Sequence, residues 1–180
     1  MKRHVALAGF MASGKTTIGK KLARKLGYAF CDTDALVVAR HGPIARVFAV
    51  EGEAAFRRYE SDAIETALAA PAPSVIALGG GALTVARNRA LLQESAHRFF
   101  IKLSPEQLFA RVRRSRAVRP MLGKAPAFPR IAELYAQRLP DYERVDHVVD
   151  ASHKSDAQVI AEIALWLAAH GVPADPAVSR

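Results

Sequence analysis

Gly9-Phe10-Met11-Ala12-Ser13-Gly14-Lys15-Thr16 is the stretch on which the fold turns. It satisfies G-x-x-x-x-G-K-[ST] at every fixed position. A short apolar run, Val5 to Ala8, precedes it, and an amphipathic pattern from Lys15 to Leu26 follows. The order strand, glycine loop, helix is what phosphate binding needs. Glycines let the backbone approach phosphate oxygens and aim its N–H groups at them, and the helix adds its positive dipole end. The Lys15 ammonium is expected to reach the β- and γ-phosphates, and the Thr16 hydroxyl to hold Mg²⁺. Gly9, Ala12, Ser13, Gly14, Lys15, Thr16 and Thr17 are therefore the candidate contacts to ATP.

Outward from this loop two kinds of segment alternate. His4–Ala8, Tyr28–Cys31, Ser74–Leu78, Arg98–Leu103 and His147–Val149 read as buried parallel strands. Helical patterns cover Lys15–Leu26, Ala35–Arg40, Ile44–Val50, Glu53–Ala70, Ala86–Gln93, Pro105–Ser115, Pro129–Leu139 and Ser155–Ala169. Ser104 before Pro105, with Gln107 three residues on, predicts a capping box. The alternation predicts an α/β fold in three layers, a parallel sheet with helices on both faces. Residues 116–128 break the rhythm with arginine, glycine and proline, as a functional loop or a disordered segment does. Residues 1–170 read as one domain, and 171–180 as a frayed tail.

The composition narrows the class. The 180 residues include 26 Lys and Arg against 17 Asp and Glu, a net charge of +9, which suits anionic partners. No RNA- or DNA-binding signature accompanies the charge, so nucleic acid is not expected as a partner. No apolar run approaches a membrane span, and the basic start is followed by too short an apolar run for a signal peptide. The single cysteine, Cys31, fits a reducing cytoplasm.

The third strand ends in Gly79-Gly80-Gly81 rather than in a metal-binding aspartate. Asp32-Thr33-Asp34 is the alternative acidic source. In extended backbone, Asp32 and Asp34 would point to one side, one supporting Mg²⁺ and the other orienting a substrate hydroxyl. The same pattern would also cap a helix. Arg57 and Arg138 lie on apolar helix faces, where a guanidinium calls for an anion. Glu60 could orient Arg57, and Arg138 could instead snorkel to solvent.

The phosphate loop, Asp32-Thr33-Asp34, Gly52-Glu53-x-x-Phe56-Arg57, Gly79-Gly80-Gly81, Arg119-Pro120 and Arg138-x-Pro140-x-Tyr142 occur in that order. Together they resemble the shikimate kinase family from about Val5 to Leu165. The resemblance implies a P-loop NTPase fold with a five-stranded parallel sheet of order 2-3-1-4-5 and a mobile lid, here residues 115–128. It implies transfer of the ATP γ-phosphate to the 3-hydroxyl of shikimate, with Mg²⁺, in the route to aromatic amino acids. By position it implies that Asp34 binds and deprotonates the hydroxyl and that Arg57 and Arg138 clamp the substrate carboxylate. Gly79, Gly80 and Gly81 would line the substrate, Asp32 and Thr16 would hold Mg²⁺, Arg111 would meet adenine, and Arg119 on the lid would stabilise the moving phosphoryl group. The substrate-binding helices would span residues 34–70, and the enzyme is expected to be a monomer. The rival readings are a kinase of gluconate or a nucleoside monophosphate, and a nucleotide-dependent nucleic-acid-binding protein.

Overall fold

The computed structural model describes residues 2–115, 120–123 and 127–172. The apolar run before the glycine loop is strand β1, His4–Ala8, buried along its whole length. It buries both faces because it lies at the centre of the sheet. β3 (Ser74–Ala77) pairs with it on one side and β4 (Ala96–Lys102) on the other, both parallel, with Val5 opposite Val75 and His97. β2 (Ala29–Asp32) pairs with β3, and β5 (His147–Asp150) pairs with β4. The order β2-β3-β1-β4-β5 is the one the resemblance implies.

Parallel neighbours need crossovers, and helices supply them. The helices are α1 (Lys15–Leu26), α2 (Thr33–His41), α3 (Ile44–Val50), α4 (Gly52–Leu68), α5 (Ala86–Ser95), α6 (Pro105–Arg114), α7 (Phe128–Tyr142) and α8 (Asp156–Ala169). The Ser104 hydroxyl accepts from the Gln107 amide, and the Gln107 side chain returns to the Ser104 amide, so the expected capping box forms. One large apolar cluster joins the strands to the helices that cover them. A second, small cluster of Val37, Val47, Phe56 and Ala63 fastens α2, α3 and α4 to one another. This satellite core gives these three helices a footing of their own.

Four expectations change. β2 is not fully buried: Ala29 is exposed and Cys31 half-buried, because an edge strand has a neighbour on one side only. β5, also read as a buried strand, is only partly covered, with Val149 buried and Val148 and Asp150 exposed. α2 begins at Thr33, not Ala35, so Asp34 is helical and the extended-backbone argument for it does not hold. α7 continues through Pro140 to Tyr142. Proline deletes one helical hydrogen bond, a loss most easily borne in a last turn such as this. Two short 3₁₀ turns, Ala82–Thr84 and Pro120–Leu122, had no signal in the periodicity. Among the described residues no helix is long and apolar enough to cross a membrane.

Because every strand points the same way, the loops after β1, β2, β3 and β4 all emerge at one edge. This edge gathers the glycine loop, Asp32, the triple glycine and Ser104.

Candidate active site

The glycine loop leaves β1 through Gly9 at φ 149°. A Cβ there would lie 2.9 Å from the Ile101 carbonyl oxygen, against backbone that cannot yield, so only glycine fits. Gly14, at φ 98°, is the N-cap of α1 and brings no side-chain cap. The first turn of a helix offers amide donors, and here they are at the disposal of an incoming anion. Ala12 also takes a left-handed conformation, φ 63°. The Ser13 hydroxyl is buried with no hydrogen-bond partner. Lys15 Nζ donates to the carbonyls of Gly9 (2.8 Å) and Phe10 (2.9 Å), which holds the ammonium across the loop. Arg111 Nη1 donates to the Ser13 carbonyl at 3.3 Å, so α6 supplies an arginine to the outer side of the same loop.

Asp32 serves two purposes at once. Its Oδ1 accepts from the amides of Asp34 and Ala35 and caps α2. Its Oδ2 accepts from the Thr16 hydroxyl at 2.7 Å. Capping and a place beside the phosphate loop, the two readings left open by the sequence, are therefore compatible. Thr33 between the two acids was missed. It is wholly buried, and its hydroxyl accepts from the Gly79 amide at 2.9 Å while facing the Ala77 carbonyl at 3.4 Å. It staples the start of α2 to the end of β3. A small β-branched alcohol between two acids is the only trace of this in the sequence.

The triple glycine makes room chiefly for side chains of the protein itself. A Cβ on Gly79 would lie 2.3 Å from Glu60 Oε1 and 2.7 Å from Asp34 Oδ1. One on Gly81 would lie 2.1 Å from Arg57 Nη1. Gly80 has more space, and its carbonyl accepts from Arg138 Nη1 at 3.0 Å and from the Tyr142 hydroxyl.

Arg57 Nη1 donates to Glu60 Oε2 at 2.7 Å, and Nη2 to Glu53 Oε1 at 3.0 Å. Glu60 does meet Arg57, as its spacing of three along α4 suggested. It is 0% exposed, and burial raises its pKa against the lowering effect of Arg57. Arg138 is 5% exposed, with its guanidinium 5.8 Å above the Phe10 ring. That excludes snorkelling: the charged end is inside, not in solvent. Burial pushes the Tyr142 hydroxyl up to about 12, so it stays a donor at neutral pH.

Two cavities open at this edge. One, of about 130 Å³, has Arg57, Arg138, Glu60 and Asp34 on its polar side and Phe48, Phe56 and Met121 among its apolar walls. The other is lined by Ala12, Gly14, Lys15, Thr16, Thr17 and Asp32, with Arg111 at its side. Met11, Asp34 and Gly80 belong to both. The cavity beside the glycine loop and the arginine-lined cavity thus meet at one carboxylate, Asp34. Arg119 lies outside the described residues, as does much of the segment expected to form the lid. Pro120 and Met121, in the described part of that segment, line one side of the arginine cavity.

Comparison with known proteins agrees with this geometry. The family model described as shikimate kinase matches residues 11–168. A shikimate kinase of Geobacter sulfurreducens is 40% identical over 169 residues, 93% of this chain and 92% of that protein. A shikimate kinase of Acinetobacter baumannii, solved in complex with shikimate, superposes with a TM-score of 0.87 at 27% identity, covering 94% of this chain and 95% of the other. The shikimate kinase of Aquifex aeolicus gives 0.80 at 29% identity, covering 94% and 98%.

Proposed function

The chain belongs to the shikimate kinase family, and from that premise we propose that it transfers the γ-phosphate of ATP to the 3-hydroxyl of shikimate, releasing ADP and shikimate 3-phosphate. One observation carries the reading: the arginine cavity and the phosphate cavity share Asp34.

In this reading the glycine loop amides and Lys15 bind the β- and γ-phosphates, with Gly9, Ala12, Ser13, Gly14, Thr16 and Thr17 completing the cradle and Arg111 flanking the nucleotide. Arg57 and Arg138 hold the shikimate carboxylate, whose planar geometry matches two guanidinium forks. Gly79, Gly80 and Gly81 shape the wall beside the ring. Asp34 orients the hydroxyl and takes its proton as the oxygen attacks phosphorus in line. Arg119, which lies outside the described residues, would by the family resemblance add positive charge at the phosphoryl group in flight.

The donor set suits Mg²⁺. A hydroxyl and a carboxylate oxygen 2.7 Å apart beside the phosphate cavity are hard oxygen ligands of the kind that ion takes, together with phosphate and water. Thr16 would hold it directly and Asp32 would support it. When bound, the ion neutralises charge on the β- and γ-phosphates.

The protein is read as one domain over residues 1–170, a monomer of the cytoplasm, with 171–180 as a tail. Two arginines on one cavity suit an acceptor that carries a carboxylate, as shikimate does. Gluconate also carries a carboxylate, but relatives sharing 40% of their residues with this chain are shikimate kinases. The deciding experiment is coupled ADP release with MgATP and shikimate, gluconate or nucleoside monophosphates in parallel. Release that depends on shikimate alone is expected. Release with another acceptor, and none with shikimate, would overturn the substrate and keep the kinase.

A further inference from the structure

Three glycines in a row give Gly79-Gly80-Gly81 a backbone with wide conformational freedom. If the wall they form is to keep its shape, each peptide must be held. Most of the restraints are local. The Gly79 amide donates to the Thr33 hydroxyl, and the Gly79 carbonyl accepts from the Ala82 amide at 3.1 Å. The Gly81 carbonyl accepts from the amide and the hydroxyl of Thr84, at 3.0 and 2.7 Å. The Gly80 carbonyl is held differently. Among the described residues it has no backbone partner, and its two donors are side chains of α7, Arg138 Nη1 at 3.0 Å and the Tyr142 hydroxyl.

The two donors are not equivalent. Arg138 lines the arginine cavity, whereas Tyr142 lines neither cavity. The Tyr142 ring is 1% exposed and stacks on Phe100 of β4, with centroids 5.0 Å apart and planes at 28°. A ring packed in this way cannot move its hydroxyl without disturbing the core. Gly80 itself lines both cavities and lies against the glycine loop, since a Cβ there would be 3.4 Å from the Met11 amide nitrogen. A carbonyl has two lone pairs and can keep both donors at once. An acceptor carboxylate that engages the Arg138 fork draws that donor away from Gly80, and the tyrosine then holds the carbonyl alone. Because a peptide unit is planar, fixing the Gly80 carbonyl also fixes the direction of the Gly81 N–H, on the wall of the arginine cavity.

We propose that Tyr142 is a positioning residue of the acceptor site: its hydroxyl keeps the Gly80–Gly81 peptide in place while Arg138 turns its fork to the acceptor carboxylate. The proposal rests on the reading of Arg138 as a clamp for that carboxylate. Tyr142 touches neither substrate. It acts through one carbonyl, and it lets a single arginine serve the acceptor without loosening the glycine wall.

The test is steady-state kinetics of Tyr142→Phe, which keeps the ring and its stacking and removes only the hydroxyl. The rates are measured at a temperature where the unfolding curve shows the variant fully folded. The KM for shikimate should rise on the order of five-fold, as expected for one lost hydrogen bond. The kcat and the KM for ATP should each stay within about two-fold of wild type. A shikimate KM within two-fold of wild type, whatever happens to the thermal midpoint, would overturn the proposal and leave Tyr142 as a core ring alone. Should Tyr142→Phe fail to fold, the wild type answers by proton NMR. The Tyr142 hydroxyl proton should give a resonance protected from exchange with water, and it should persist when shikimate is bound. Absence of that resonance in the shikimate complex would overturn the proposal equally. Arg138→Lys with an unchanged shikimate KM would instead sink the underlying reading of Arg138, whatever Tyr142 does.

Discussion

The Thr16 hydroxyl donates to Asp32 Oδ2 over 2.7 Å, while the other oxygen of the same carboxylate caps α2. The two duties can be separated by mutation. Asp32→Asn keeps an oxygen for the cap and removes the charge. It should cost less than about 1 kcal/mol of stability, yet raise the Mg²⁺ concentration needed for half-maximal rate several-fold. Asp32→Ala should add a cap loss of about 1 kcal/mol. Urea unfolding beside a Mg²⁺ titration of the rate distinguishes them. Equal Mg²⁺ dependence in Asp32→Asn and wild type would remove Asp32 from the metal site.

Arg138 is held by the Gly80 carbonyl and the Phe10 ring, on the acceptor side of Asp34. Arg138→Lys keeps a charge but loses the fork. The shikimate kcat/KM should fall by roughly 10- to 100-fold, since a hydrogen bond to a charged group contributes about 1.5–3 kcal/mol. ATP affinity, measured by calorimetry, should stay within about two-fold of wild type. Lys15→Ala should abolish transfer to every acceptor. A matching loss of ATP affinity in both variants would move Arg138 out of the acceptor site.

Two glycines differ in what an added methyl would meet. At Gly81 it would meet the far end of the Arg57 side chain, which can swing away. At Gly9 it would meet the Ile101 carbonyl at 2.9 Å, on a backbone with φ 149°. Gly81→Ala should therefore stay folded, with a thermal midpoint within a few degrees of wild type, and show a raised shikimate KM as Arg57 leaves its place. Gly9→Ala should lose stability, by about 2 kcal/mol or more, as well as activity. If Gly81→Ala unfolds as readily as Gly9→Ala, the flexible-side-chain argument is wrong.

Acid stability should track a carboxylate far from the site. For Asp146, burial alone would raise the pKa, but hydrogen bonds from Arg98 and Lys2 outweigh it and bring it down to about 2. The folded value is below the unfolded one, near 3.8. The stabilisation is therefore complete above the unfolded value and disappears as pH falls toward 2. For a partly exposed group it is on the order of 1 kcal/mol after solvent screening. The urea midpoint of Asp146→Asn should lie below that of wild type at pH 6, and the two should converge as pH approaches 2. Parallel curves across that range would show that the ion pair adds nothing.

Much of the site could be read along the chain because it is local. The phosphate loop needs glycines and a lysine at fixed spacing ahead of a helix, and backbone sterics decide that within eight residues. Strand and helix positions followed from periodicity, and β1, α1 and α3 fall on the residues expected. The errors lie where neighbours decide. Periodicity reads Tyr28–Cys31 and His147–Val149 as buried alike, and only the strand order, which the resemblance implied, puts both at the edges of the sheet. Asp34 is expected in extended backbone past the second strand, but the Asp32 cap turns the chain into α2 at Thr33.

What the sequence determined alone was the chemistry on offer: a phosphate cradle, two carboxylates, two arginines on apolar faces and three glycines in a row. What only the tertiary structure decided was which of these meet. Parallel strands bring four loops to one edge, so residues of α4, of the loop after β3 and of α7 gather at the cavity that Asp34 of α2 also lines, although they are far apart in the chain. The unpaired oxygen of Glu60 beside Asp34, the Thr33 staple and the Gly80 carbonyl shared by Arg138 and Tyr142 all depend on distances across that edge. Packing sets those distances, and spacing along one chain does not encode them.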